Sequence, residues 1–164
     1  MPQFSFDIVS SINLQEVDNA VNQASKEIHT RFDFKGSKSR IEFNKAEKII
    51  RVIADDDLKL RNLHDILKTR MVARGISVKS MEFKEPEKAF EGTLRQEIGL
   101  IQGLPQERAK ELVKMIKTAQ FKVQAAIQDD QVRVTAKSKD ELQAVIQHLR
   151  ANPFPVPLQF TNYR

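Results

Sequence analysis

The chain contains no cysteine. Disulfides, thiolate zinc sites and cysteine nucleophiles are therefore excluded. Nowhere do about 18 apolar residues run together, and no apolar h-region stands at the N-terminus, so neither a membrane span nor an export signal is expected. The cytoplasm is the expected address. Neither a P-loop nor a G-x-G-x-x-G occurs, so any nucleotide site is of another kind. His29, His64 and His148 all fall within helical segments with no spacing to a partner, which predicts surface or packing roles. Asp55–Asp57 resembles a metal-binding patch but stands where a helix cap and negative charge are expected, so its use is read as structural. No metal, cofactor or catalytic residue is expected, and the chain reads as a non-enzyme.

What is present suits a folded protein. The 164 residues are 40% hydrophobic and 30% charged, enough for a core in one domain or two small ones. A net charge of +5 mildly favours anionic partners.

Gln3–Val9 alternates Phe4, Phe6 and Ile8 with polar residues, predicting a half-buried strand. Asn13–Glu16 reads as a capping box, followed by Val17, Ala20, Val21, Ala24 and Ile28 at helical spacing. Strands follow around Ser39–Phe43 and Lys48–Ala54, then a helix stopped by Gly75 and a strand over Ser77–Phe83. Glu85–Gly92 has linker character. Beyond it the order repeats: a strand over Thr93–Ile101, a helix after Pro105, strands over Phe121–Gln128 and Gln131–Lys137, a second capping box at Ser138–Glu141 with its helix, and a strand over Leu158–Tyr163. The pattern β-α-β-β-α-β, given twice, predicts an α+β protein of two tandem ferredoxin-like domains. Each leaves one sheet face open, where RNA-recognition modules of this topology bind.

Alternation assigns side chains to the second open face: Lys122, Gln124, Gln128, Gln131, Arg133, Thr135 and Lys137, joined by Gln159, Thr161 and Tyr163. It is polar and basic with one aromatic ring, which suits phosphates and hydrogen bonds better than base stacking. A merely solvated face is the competing reading. The first open face carries Ile49 and Ile53 beside Arg51, Lys38, Arg40 and Glu42, and predicts a domain or dimer contact.

Arg31–Gly36, RFDFKG, poses its own choice. It lacks the three aromatics and internal glycines of an RNA-binding central strand, so Phe32 and Phe34 are expected in the core. Arg31 and Lys35 remain candidates for phosphate, and Asp33 for a base's N–H groups.

Four segments in order, FDIVS (Phe6–Ser10), RFDFKG, Lys122–Gln147 and the terminal PLQFTNYR, resemble the YajQ family of bacterial proteins over essentially the whole chain. The resemblance implies a duplicated ferredoxin-like fold whose domains exchange N-terminal strands. One domain would then span 10–101, completed by 93–101, and the other 1–9 plus 102–164. It also implies binding of ATP, GTP or tRNA, and in some members of cyclic di-GMP with a tie to transcription; a basic sheet face or interdomain surface is the expected place for such a ligand here. Asp129 and Ala136 stand where the family has glycine, and Glu85–Gly92 and NPFPVP are atypical.

Together these readings give a nucleotide- or RNA-binding protein. Lys122, Arg133 and Lys137 are expected to hold phosphates, with Arg31 and Lys35 as a second cluster. Gln124, Thr135 and Asp33 are expected to bond base or ribose. The alternative is an adaptor that contacts a transcription regulator.

Overall fold

The computed structural model describes residues 3–164. In chain order the elements are β1 (Phe4–Val9), α1 (Leu14–Thr30), β2 (Arg40–Asn44), β3 (Ile49–Ala54), α2 (Asp57–Ala73), β4 (Met81–Phe83), β5 (Glu87–Lys88), β6 (Leu94–Leu100), α3 (Gln106–Thr118), β7 (Val123–Gln128), β8 (Gln131–Ala136), α4 (Lys139–Ala151) and β9 (Gln159–Thr161). They form an α+β protein of two compact units. The middle unit is Ile12–Leu100; the terminal unit combines residues 3–11 with Ile101–Arg164.

Helix starts follow their caps. The Asn13 side chain accepts the N–H groups of Gln15 and Glu16 at 3.0 and 3.2 Å. Asp56 accepts that of Lys59 at 2.8 Å, and Ser138 that of Glu141 at 3.3 Å. Each bond satisfies an N–H that has no partner within the helix.

In the middle unit the sheet runs β2-β3-β6-β4, with β5 also on β6. Val17, Val21 and Ile28 of α1 and Leu63, Leu67 and Met71 of α2 close a core over Ile50, Val52 and Ile98. In the terminal unit the order is β7-β8-β1-β9, all neighbours antiparallel. Phe6 and Ile8 of β1 are fully buried with Val132 and Val134 of β8, under Leu112 and Ile116 of α3 and Val145 and Ile146 of α4. Burying one such side chain contributes about 1.5–3 kcal/mol. The strand at the chain's start thus lies between β8 and β9, and β6 lies between β3 and β4.

Four local expectations need correction. Glu85–Gly92 is not a bare linker: Glu87 and Lys88 pair with Arg95 and Leu94. A turn over Phe90–Gly92 then reverses the chain, with Glu91 and Gly92 both left-handed at φ 55° and 77°. The expected strand over Ser77–Phe83 shortens to β4, because Ser77 caps a 3₁₀ turn at Val78–Ser80. RFDFKG is also a 3₁₀ turn, over Phe32–Phe34. Residues two apart share a face in a strand but not at three residues per turn, so Phe34 is buried while Phe32 is 87% exposed. Lastly, β9 ends at Thr161 because Asn162 is left-handed at φ 55°. The register shifts there, from Asp7 opposite Thr161 to reciprocal backbone bonds between Ser5 and Arg164, so one extra residue sits on the β9 side.

Candidate functional site

The hairpin of β7 and β8 pairs Gln124 with Thr135 and Val123 with Ala136. One step further along that register stand Lys122 and Lys137, opposite each other at the hairpin's open end. Both are exposed, and neither belongs to any ion pair among the described residues. Like charges facing across two strands repel, and an anion between them turns that repulsion into attraction. A cavity of about 510 Å³ opens at this place, lined by both lysines with Gln124, Thr135, Phe121 and Ser138 among others. Ser138 caps α4, so the positive end of that helix adds to the wall, and Glu141 supplies a carboxylate. The Phe121 ring meets the His148 ring edge-on at 5.4 Å.

Arg133 is differently placed. It lies across from Asp7 in the β1–β8 register and grips it with two bonds, Nε to Oδ1 at 2.9 Å and Nη2 to Oδ2 at 3.3 Å. Asp7 is only 1% exposed, and Asn162 donates a third bond to its Oδ2 at 2.8 Å. The Arg133 hydrogen bond, helped by Asn162 and the charges of Arg133 and Arg164, holds the Asp7 carboxyl below its ordinary value against the opposing effect of burial. The guanidinium is committed to a buried carboxylate. Tyr163, expected on this open face, leaves it: beyond the bulge its ring stacks on buried Phe6 at 6.1 Å. The face keeps its cations and loses its only expected ring.

Arg31, Asp33 and Lys35 belong to the middle unit. Arg31 binds Asp33 through two bonds, 3.0 and 2.9 Å, and approaches Glu27 at 3.5 Å. That hydrogen bond lowers the Asp33 pKa and raises the Arg31 pKa. Lys35 stays exposed and outside the ion pairs of the described residues. The turn is fastened below by Ser37 and the Lys38 N–H, both bonded to the Asp55 carboxylate. The open face of this unit neutralises itself: Arg51 pairs with Glu47 and Glu97, and Arg95 with Glu87.

Among the described residues, no helix is long and apolar enough to cross a membrane, and no cluster of three His, Asp or Glu could hold a metal.

A family model described as "Nucleotide-binding protein YajQ-like" matches residues 4–164. The chain belongs to the YajQ-like family. A protein called "Nucleotide-binding protein" in Endomicrobium trichonymphae is 54% identical over 162 residues, covering 99% of this chain and 98% of the relative. Proteins of the same name in Desulforamulus reducens and Chloroherpeton thalassium are 52% and 45% identical over 161 residues, each spanning 98% of this chain and 96% and 98% of the relatives. In this YajQ-like chain Asp129, where the resemblance expects glycine, adopts the left-handed conformation that glycine holds without strain (φ 54°). Ala136 is buried in the core and also borders the cavity.

Strand alternation found Lys122, Gln124, Thr135 and Lys137 together. It missed Asn162, whose own left-handed backbone shifts the alternation and brings its side chain to Asp7. It gave Phe121 to the core and Glu141 to a cap, and both also line the cavity.

Proposed function

We propose that this is a non-enzymatic, cytoplasmic nucleotide-binding protein whose terminal unit holds a nucleotide by its phosphates between Lys122 and Lys137. The observation that carries this reading is the pair of lysines, outside every ion pair among the described residues, that line one cavity of about 510 Å³. That volume falls within the range of about 300–1,000 Å³ typical of small-molecule sites. Gln124 and Thr135, paired across the same strands, supply hydrogen bonds to ribose or base. Phe121 offers an apolar wall. Arg133 acts indirectly, by holding Asp7 and the face of β8. Arg31, Asp33 and Lys35 form a second, weaker cluster in which only Lys35 is free to meet a phosphate. The name shared by the relatives supports a nucleotide as the ligand class.

The absence of an exposed ring from the open sheet face favours a free nucleotide, such as cyclic di-GMP, GTP or ATP, over single-stranded RNA, whose bases need stacking partners. We also read the two units as ferredoxin-like domains that exchange strands, with β1 completing the terminal one and β6 the middle one. The pairing of β1 with β8 and β9 supports that reading.

Calorimetric titration with cyclic di-GMP, GTP, ATP and a short single-stranded RNA tests the site. One small nucleotide binds saturably, and Lys122→Ala/Lys137→Ala weakens it at least tenfold. An affinity unchanged in that double variant removes the site from this hairpin.

A further inference from the structure

Apart from the short β5, the two sheets end in four strands: β2 and β4 in the middle unit, β7 and β9 in the terminal unit. An edge strand offers bare backbone groups to any other strand, and folded chains guard it with charge, bulges or short length. Three of the four are guarded in this way. β4 and β9 have three residues each, and β2 carries Arg40 and Glu42, paired at 3.2 Å. The fourth, β7, is six residues long, VQAAIQ, with no charge, proline or glycine.

The rest of the sheet fixes where its bare groups point. Ser5 of β1 exchanges two backbone bonds with Arg164, on the β9 side. Thr135 stands opposite Ser5 on β8, so its own N–H and C=O turn the other way, to Gln124 of β7. Bonded pairs recur at every second residue of an antiparallel ladder. The backbones of Gln124, Ala126 and Gln128 therefore face β8, and the N–H and C=O groups of Val123, Ala125 and Ile127 point outward. These meet no other backbone group among the described residues. The side chains of the same three residues lie on the helix side, yet all three are only half-buried. On β8 Val132 and Val134 are fully buried, and even on edge strand β2 Ile41 is buried. The terminal core is left open along β7.

The strand is its own complement. With two copies antiparallel about Ala125, Val123 stands opposite Ile127, Ala125 opposite Ala125 and Gln124 opposite Ala126. Every outward N–H of one copy then meets an outward C=O of the other, and the half-buried side chains cover one another. A slip by one residue sets Val123 opposite Gln128, which belongs to the other face. A slip by two sets a strand end opposite Asp129, left-handed at φ 54°, or opposite Phe121, and both lie outside the strand. Lys122 precedes the strand and Asp129 follows it, so at each end a cation approaches a carboxylate of the other copy. On α3 the side turned away from α4 carries Gln106, Lys110, Val113 and Lys117. Val113 is half-buried there, and the lysine stems flank it with their ammonium groups in water.

We propose that β7 is a two-fold interface through which two copies of the chain join their terminal sheets into one continuous sheet. The strength of such strand addition comes from main-chain bonds, and side-chain pairing gives it selectivity. Each chain has one such edge, so the assembly stops at two. The inference stands apart from the nucleotide reading, with which it shares Lys122, and its test is run without nucleotide.

Sedimentation velocity of the full chain over a wide concentration range shows monomer passing to dimer as concentration rises. Ala125→Pro removes the central outward N–H but no bond of the β7–β8 ladder, a place where an edge strand accepts proline. That variant stays monomeric with an unchanged circular dichroism spectrum. Should its spectrum change, two variants of the open face decide. Gln124→Lys/Ala126→Lys sets lysine opposite lysine and stays monomeric, whereas Gln124→Glu/Ala126→Lys sets glutamate opposite lysine and dimerises. Amide exchange reads the register: the Val123, Ala125 and Ile127 N–H groups slow as concentration rises, and those of Gln124 and Ala126 do not change. A wild type monomeric at every concentration overturns the proposal. So does a dimer that survives Ala125→Pro or the double lysine variant, a Glu/Lys variant that stays monomeric, or exchange that ignores the alternation. Assembly beyond two copies overturns it as well.

Discussion

Asp7 and Arg133, 126 residues apart, meet side by side on β1 and β8 through two hydrogen bonds of 2.9 and 3.3 Å. The pair fastens the chain's first strand to its partner and keeps a carboxylate ionised in a nearly water-free position.

Acid should therefore loosen the terminal unit. The Asp7 pKa is lowered on folding, so the unfolded chain takes up this proton more readily. The contribution is fully present above about pH 4, the ordinary aspartate value, and is lost as pH falls through the folded value. Urea denaturation at pH 7 and pH 3 checks it: Asp7→Asn is less stable than wild type at pH 7, and the gap narrows at pH 3.

The middle unit responds in a higher window. His64 is half-buried, its Nε2 2.5 Å from Gln96 Oε1 and its ring against Phe83. Burial depresses its pKa, more than the Gln96 bond restores. The folded chain then binds fewer protons, so stability is full above about pH 6.5 and declines as pH falls from there towards the folded value. Amide hydrogen exchange in α2 and β6 should quicken between pH 7 and 5, once corrected for intrinsic rates. In His64→Phe this dependence should flatten.

Lys122→Gln separates repulsion from ligand binding. Without ligand the variant should gain about 0.2–1 kcal/mol, the cost of like charges facing across strands. With nucleotide present it should bind several-fold more weakly. Thermal melts with and without the nucleotide read both effects.

Gly103 adopts φ 84°, and a Cβ there would lie 2.5 Å from Asp130 Oδ2. Its N–H donates to the Ser10 carbonyl at 2.6 Å, and the next N–H to the Asp130 carbonyl at 2.8 Å. Gly103→Ala should destabilise the terminal unit by about 1–3 kcal/mol, a strain of the size stored at forbidden backbone angles. Asp129→Gly, relaxing a left-handed aspartate in the same hairpin, should change stability by no more than about 1 kcal/mol. Chemical denaturation measures both.

Much of this was legible in the sequence. The caps at Asn13 and Ser138 name the atoms that bond, and two-residue alternation brings Lys122 and Lys137 to one place because strand geometry is local. The partner of β1 was not legible by the same route. Alternation in Gln3–Val9 says strand, yet nothing local says which sheet; only the resemblance pointed to the second. Periodicity alone puts Arg133 on the open face but does not name Asp7 as its partner, because that residue stands 126 positions away on β1. Tyr163 misled because alternation fails after one left-handed residue, and Phe32 because a 3₁₀ turn and a strand can share a sequence of alternating character.

The place of β1 also matters during synthesis on the ribosome. Phe4–Val9 emerges early, but its two neighbours, Gln131–Ala136 and Gln159–Thr161, come late. The intervening Ile12–Leu100 is contiguous and can close on itself in the meantime. Until translation reaches Thr161, an apolar strand destined for the middle of a sheet waits with both edges bare, open to pairing with whatever strand is nearby. The price of stitching the first residues to the last is a nascent chain that needs shielding, and its yield should depend on translation rate and chaperone supply more than its final stability would suggest.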